Sequence, residues 1–97
     1  MLEIDMVEAG TVTMGGRLDA AAADQAESYL DDITGACVID MGQLEYISSA
    51  GLGVLLKTHK KFLGQGQSLK LVNVNNHIND IFKYSGFDKL FDIESNQ

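Results

Sequence analysis

The sequence predicts an α/β domain with a mixed, mostly parallel sheet of about five strands, an N-terminal β-hairpin and helices packed on the sheet. Short apolar runs rich in β-branched residues alternate with segments in which apolar residues recur every three or four positions. The first two short runs are separated only by a turn at Gly10, which favours a hairpin. The resulting order, β-β-α-β-α-β-α-β, requires right-handed crossovers and parallel pairing of the later strands.

Composition indicates one globular domain over residues 1–97, of which 45% are hydrophobic. The formal net charge of −7 argues against nucleic acid or an anionic membrane as partner. Residues 1–50 carry ten acids and one base, a net −9, whereas residues 51–97 carry four acids and six lysines, a net +2. The acidic first half suits a basic partner or serves solubility alone.

Features of export and of membrane insertion are not found in the sequence. The N-terminus lacks the basic flank and apolar run of a signal peptide, and no apolar stretch reaches the roughly 18 residues that span a bilayer. We therefore expect a cytoplasmic protein without a membrane partner. We also expect the protein to be a monomer or a weak dimer.

The first half of the chain predicts the hairpin, one helix and a buried strand. The hairpin strands are LEIDMV and TVTMGG, and the helix is LDAAAADQAESYLDDI, with Asp19 as N-cap and Gly35 at its end. ACVIDM is a continuous apolar run that predicts a buried strand, after which GQLEYI is expected to be a link. The apolar face of the helix consists of Ala22, Ala26, Tyr29, Leu30 and Ile33.

The second half predicts two helices, each followed by a strand. A helical pattern runs from Gly51 to the glycines Gly64 and Gly66, SLKLVNV follows as a strand, and NHINDIFKYSGF is a short helix before a weak strand, KLFDIE. The apolar face of the first of these helices comprises Leu52, Leu55, Leu56, His59, Phe62 and Leu63. The residues that we expect to be buried are Leu52, Leu55, Leu56, Phe62, Val38, Ile39, Leu71 and Ile81.

Two adjacent serines, Ser48 and Ser49, stand where the third strand gives way to the second helix, in YISSAGLG. Capping of the helix is one role for them, and it contributes about 1 kcal/mol. A phosphate would also be tolerated there, because the free amides and the dipole of a helix N-terminus favour negative charge. The small neighbours Ala50 and Gly51 leave room for a kinase, so the residues permit a switch without requiring one.

Catalytic chemistry finds little support in the other polar residues. His59 lies ten residues beyond Ser49, about 15 Å along one helix, and the G-x-S-x-G elbow of hydrolases is absent. His77 and Asp80 form no convincing metal site, and Cys37, the single cysteine, is expected to be a buried inert thiol. P-loop and GxGxxG patterns are missing. We therefore expect no catalytic residues, no metal and no cofactor, and a protein that is not an enzyme.

The segment DMGQLEYISSAGLGVLL resembles the signature of the STAS domain, the fold of bacterial anti-sigma factor antagonists. In that family D-S-[STA]-G-L-G opens a helix, and the matching residues here run from Ile47 to Gly53. GRLDAAAADQAESYL is similar to the family's G-x-L-D segment and first helix, and SGFDKLFDI to its closing helix and strand. The resemblance thus spans nearly the whole chain.

The resemblance implies that Ser49 accepts a phosphate and that Ala50 is the small residue after it. Ser48 occupies the family's aspartate position, which removes a negative charge and makes Ser48 a rival acceptor. Asp19 matches an aspartate that lies near the acceptor loop. The predicted partner-binding residues are Asp19, Ser48, Ser49, Ala50, Gly51 and Leu52.

A partner-switching mechanism follows from the same resemblance. The unphosphorylated protein is expected to bind an anti-sigma factor that is also a GHKL-type serine kinase, which frees a sigma factor. Phosphorylation would end the complex, and a PPM-type phosphatase would reset the switch. Two alternatives remain: a STAS binding module without phosphorylation, such as the soluble subunit of a lipid-transport ABC complex, and a small enzyme or nucleotide-binding domain on the same fold.

Overall fold

The structure, a computed structural model, describes residues 1–95 and shows five strands and three α-helices in the predicted order. This confirms the predicted α/β fold class. The elements are β1 (Leu2–Glu8), β2 (Thr11–Leu18), α1 (Ala23–Asp31), β3 (Cys37–Ile47), α2 (Ser49–Gly64), β4 (Leu69–Val74), α3 (Asn76–Ser85), a 3₁₀ turn (Phe87–Lys89) and β5 (Asp92–Ser95).

The five strands form one sheet in the order β1-β2-β3-β4-β5. β1 and β2 pair antiparallel, with Ile4 opposite Met14, so the N-terminal hairpin is confirmed. The remaining neighbours pair in parallel. The carboxyl ends of the parallel strands therefore lie along one edge, from which the chain enters each helix, and binding sites of such sheets gather at this edge.

The core lies on the face of the sheet that the helices cover, and the largest fully buried side chains come from both layers. Every second residue of a strand points into this core, as in β3, where Cys37 and Ile39 are buried. The largest fully buried side chains are Phe62, Phe82, Met14, Leu18, Leu30, Ile39, Met41, Leu44, Leu55, Leu69, Leu71 and Ile78.

Five of the eight residues predicted to be buried are buried, and three are half-buried. Leu56 and Ile81 pack at the margin of the core. Val38 lies between two buried residues of β3 and therefore points to the opposite face of the sheet, where it is half-buried. Leu63, expected on the apolar face of α2, is 58% exposed in the last turn of the helix.

Several predicted boundaries are wrong by a few residues. The GQLEYI segment is not a link but the second half of β3, and α2 begins at Ser49 rather than Gly51. α1 ends at Asp31, so Gly35, with φ of +85°, belongs to the following loop. No helix within residues 1–95 combines the length and the apolar character needed to cross a bilayer.

Candidate functional site at the β3–α2 junction

The serine pair lies where β2 and β3 end together at the edge of the sheet. Leu18 and Ile47 are the last paired residues of the two strands. The Ser48 amide then donates a 2.9 Å hydrogen bond to the Leu18 carbonyl. The chain segments that begin at Asp19 and at Ser48 therefore leave the sheet side by side.

Ser48 is the N-cap of α2. Its backbone is extended, and its hydroxyl accepts a 3.2 Å hydrogen bond from the Gly51 amide. The Ser48 carbonyl accepts the first helical bond, from the Leu52 amide, at 2.9 Å. The half-buried Ser48 hydroxyl is thus engaged in holding the helix start.

Ser49 and Ala50, the first two residues of α2, are both exposed. Their amides precede the first intrahelical donor and so have no acceptor within the helix. The Ser49 hydroxyl makes no hydrogen bond to any other residue in the part of the chain that the structure describes. This is the placement that the switch hypothesis requires, and phosphorylation of Ser49 stays a prediction.

Gly51 allows α2 to pack closely against the ends of β2 and β3. A Cβ atom at this position would lie 2.6 Å from the Leu18 carbonyl oxygen and 2.9 Å from Cγ1 of Ile47. Both distances are shorter than van der Waals contact permits. Gly51 and Leu52 are buried, so both residues help to position the helix, and their contact with a partner stays a prediction.

Asp19 does not cap α1 as predicted. Its Oδ1 accepts a 3.1 Å hydrogen bond from the Ala22 amide, which closes a turn before the helix, and the N-cap of α1 is Ala22, without a side-chain bond. Residues 20–22 form this turn between β2 and α1. The second carboxylate oxygen, Oδ2, lies 3.7 Å from Nε of Arg17.

Two residues that the sequence reasoning did not select, Arg17 and Tyr46, also lie at this site. The guanidinium carbon of Arg17 is 4.4 Å from the centre of the Tyr46 ring. The only available signal was that Arg17 is the single base in residues 1–50. Its contact with Tyr46 depends on the pairing of these two residues across β2 and β3, which the local pattern does not reveal.

Tyr46 and Ser49 line a shallow depression of about 470 Å³ between β3, the start of α2 and the end of α3. Leu52 forms part of its floor, and Ile81 and Tyr84 form the wall on α3. The lining is mainly apolar, and Tyr84 is 94% exposed. Exposed aromatic side chains of this kind are enriched in protein–protein contacts.

Other groups considered for chemistry lie apart from this site. Cys37 is buried as predicted, and burial raises the pKa of its thiol to about 11, so the reactive thiolate is suppressed. His59 packs edge-on against the Phe91 ring at 5.1 Å, whereas His77 is exposed. Residues 1–95 contain no group of three or more His, Cys, Asp or Glu side chains placed to hold a metal ion.

Comparison with known proteins identifies the family. The family model of the STAS domain matches residues 3–97. BtrV of Bordetella bronchiseptica, which is named as an anti-sigma factor antagonist, is 34% identical over 86 residues, which cover 84% of this chain and 74% of BtrV.

Solved structures show the same fold. An anti-sigma factor antagonist from Mycobacterium paratuberculosis superposes with a TM-score of 0.79 and 25% identity, over 97% of this chain and 84% of that one. SpoIIAA of Bacillus in its phosphorylated form superposes with a TM-score of 0.69 and 19% identity, over 98% of this chain and 92% of that one. By the match of the family model and the similarity to BtrV, this chain belongs to the STAS domain family.

Proposed function

We propose that this protein is an anti-sigma factor antagonist whose binding to its partner is controlled by phosphorylation of Ser49. The proposal rests on the different environments of the two serine hydroxyls. Ser48 uses its hydroxyl to cap α2, whereas the Ser49 hydroxyl is exposed and makes no hydrogen bond within residues 1–95. BtrV and the Mycobacterium protein, both named as anti-sigma factor antagonists, support the functional class.

The partner is an anti-sigma factor of the GHKL type that is also a serine kinase. In the switching reaction the γ-phosphoryl group of ATP passes to Ser49 Oγ. A new O–P bond forms, the bond to the departing ADP breaks, and a base of the kinase takes the hydroxyl proton. A PPM-type phosphatase later hydrolyses the O–P bond and restores the hydroxyl.

The contact surface consists of Ser49, Ala50 and the adjoining depression with Tyr46 and Tyr84. Its apolar lining suits burial against another protein, and a hydroxyl costs far less to bury there than a charged group does. A phosphoserine carries about −1.5 to −2 charges, which would have to be desolvated in the complex. Phosphorylation therefore releases the partner, and the sigma factor is captured again.

The test combines the purified protein with a GHKL-type serine kinase of the same organism and ATP, followed by peptide mass spectrometry. Phosphate is expected on Ser49. Ser49→Ala should abolish phosphorylation and keep tight binding, because only a hydroxyl is lost from the surface. Ser49→Asp should weaken binding, although less than phosphate does, because a carboxylate carries less charge.

Ser48→Ala is the matched control, since it removes a hydroxyl from the neighbouring position and should leave phosphorylation intact. Phosphate on Ser48 would refute the choice of acceptor. Absence of phosphate from both serines, together with stable binding to an ABC-type ATPase, would refute the switch and favour the STAS binding module without phosphorylation.

A further inference from the structure

We propose that Arg17 binds the phosphate on Ser49 once it is formed, and that Arg17 leaves Asp19 to do so. The inference rests on the proposed function, because it concerns the phosphorylated state of the same site. It assigns to Arg17 the role of a positioning residue that holds the modified serine in one arrangement.

The present pairing of Arg17 with Asp19 is weak. Nε of Arg17 lies 3.7 Å from Oδ2 of Asp19, beyond hydrogen-bond length, and the two side chains are 53% and 33% exposed. Ion pairs of this kind contribute little because solvent screens them. A phosphate, with nearly twice the charge and three acceptor oxygens, offers the guanidinium two parallel hydrogen bonds instead.

The cation–π contact with Tyr46 leaves the guanidinium available for such a bond. The guanidinium carbon lies 4.4 Å from the centre of the Tyr46 ring, whose face attracts a cation without taking up its N–H groups as a carboxylate would, so these donors can still bind an anion. The Tyr46 ring also lines the depression that Ser49 lines. Tyr46 is therefore a neighbour of both groups, although Arg17 itself does not line the depression.

The backbone holds Arg17 beside the start of α2. Arg17 is paired with Tyr46 across β2 and β3, and the next residue, Leu18, accepts the hydrogen bond from the Ser48 amide. Arg17 thus stands one residue from the point where the serine segment is tied to β2.

Several other cations in the described chain are already engaged or remote. Lys57 bonds Glu27 at 3.0 Å, and Lys70 pairs with Glu94 at 3.2 Å. Lys60 lies eleven residues beyond Ser49 on the same helix, about 16 Å along its axis. Lys83 borders a separate depression with Tyr84 and is the rival that the test must include.

The experiment installs phosphoserine at position 49 by genetic code expansion, so that no kinase is needed, and follows its second ionisation by ³¹P NMR. The second pKa of free phosphoserine is about 6. A guanidinium bound to the phosphate stabilises the dianion and lowers this pKa. Arg17→Gln should therefore raise it by roughly 1 pH unit, the low end of the effect of an adjacent opposite charge.

Lys60→Gln is the matched control, since it removes the same charge from an exposed site. It should change this pKa by no more than about 0.2 unit, because solvent and salt screen a charge at that distance. Equal effects of Arg17→Gln and Lys60→Gln, or a larger effect of Lys83→Gln, would overturn the inference. If the pKa of the installed phosphoserine rises in Arg17→Gln but the kinase does not phosphorylate Ser49, the proposed function is refuted and this inference stands. If the kinase phosphorylates Ser49 but Arg17→Gln leaves the phosphoserine pKa unchanged, this inference is refuted and the proposed function stands.

Discussion

The junctions from β3 to α2 and from β4 to α3 begin their helices with the same capping bond. In each, the residue after the strand is extended and its side-chain oxygen accepts a hydrogen bond from the third helical amide. Ser48 accepts from Gly51 at 3.2 Å, and Asn75 accepts from Ile78 at 2.9 Å. A side-chain cap therefore marks a helix start in this fold and does not by itself mark a functional site.

The two junctions differ in how they hold the helix against the sheet. The Asn75 side chain also donates from Nδ2 to the Leu44 carbonyl of β3, at 2.9 Å, so the cap itself ties α3 to the sheet. At the start of α2 the close packing of Gly51 against Leu18 and Ile47 holds the helix against the sheet, without a side-chain hydrogen bond to any strand within residues 1–95. Ser49 therefore has small neighbours in the chain, Ser48, Ala50 and Gly51, and it is itself exposed to another protein.

The largest effect expected from this comparison is that of Gly51→Ala. The added Cβ would meet the Leu18 carbonyl oxygen at 2.6 Å, and backbone cannot move aside cheaply. We expect a loss of about 2–3 kcal/mol in the free energy of unfolding, measured by urea denaturation. Gly53→Ala is the control, because nothing lies within 4 Å of its Cβ and helix propensity should stabilise the protein by about 1 kcal/mol. A neutral Gly51→Ala would show that close packing does not hold α2 in place.

Asn75→Ala should cost somewhat less, about 2 kcal/mol, because it removes the cap of α3 and leaves the Leu44 carbonyl without this donor. Urea denaturation again gives the measurement. Asn76→Ala, at the next and exposed position, should change the free energy of unfolding by less than about 0.5 kcal/mol. If both variants unfold alike, neither hydrogen bond of the Asn75 side chain contributes to stability, and the contrast between the junctions is lost.

Ser48→Ala should cost less than Asn75→Ala, about 1 kcal/mol, since only the cap of α2 is removed. Ser48→Asp should restore the cap, because a carboxylate accepts the same amide and suits the helix dipole. Ser49→Ala should leave the free energy of unfolding within about 0.5 kcal/mol. Thermal melting of the three variants measures this, and a comparable loss in Ser49→Ala would mean that its hydroxyl already bonds within the fold.

The order of elements and the position of the serine pair could be predicted because both depend on residues close together in the chain. Hydrophobic period distinguishes strand from helix within about ten residues, and a serine before a helical run predicts a cap. The same local reasoning failed for GQLEYI, which looks like a link but continues β3, because pairing with β2 keeps it extended. It also placed the cap of α1 at Asp19, whereas the N-cap residue is Ala22, three residues later, which makes no side-chain capping bond.

By itself the sequence determined the α/β class, the hairpin, the apolar faces and the small residues that follow the serines. Only the tertiary structure decided which serine is engaged, what Gly51 packs against and where Arg17 lies. Arg17 and Tyr46 are 29 positions apart in the chain and meet only through the register of β2 on β3. Local preference acts over a turn or a strand, whereas register is set by the burial of whole faces, so such contacts exist only once the sheet has formed.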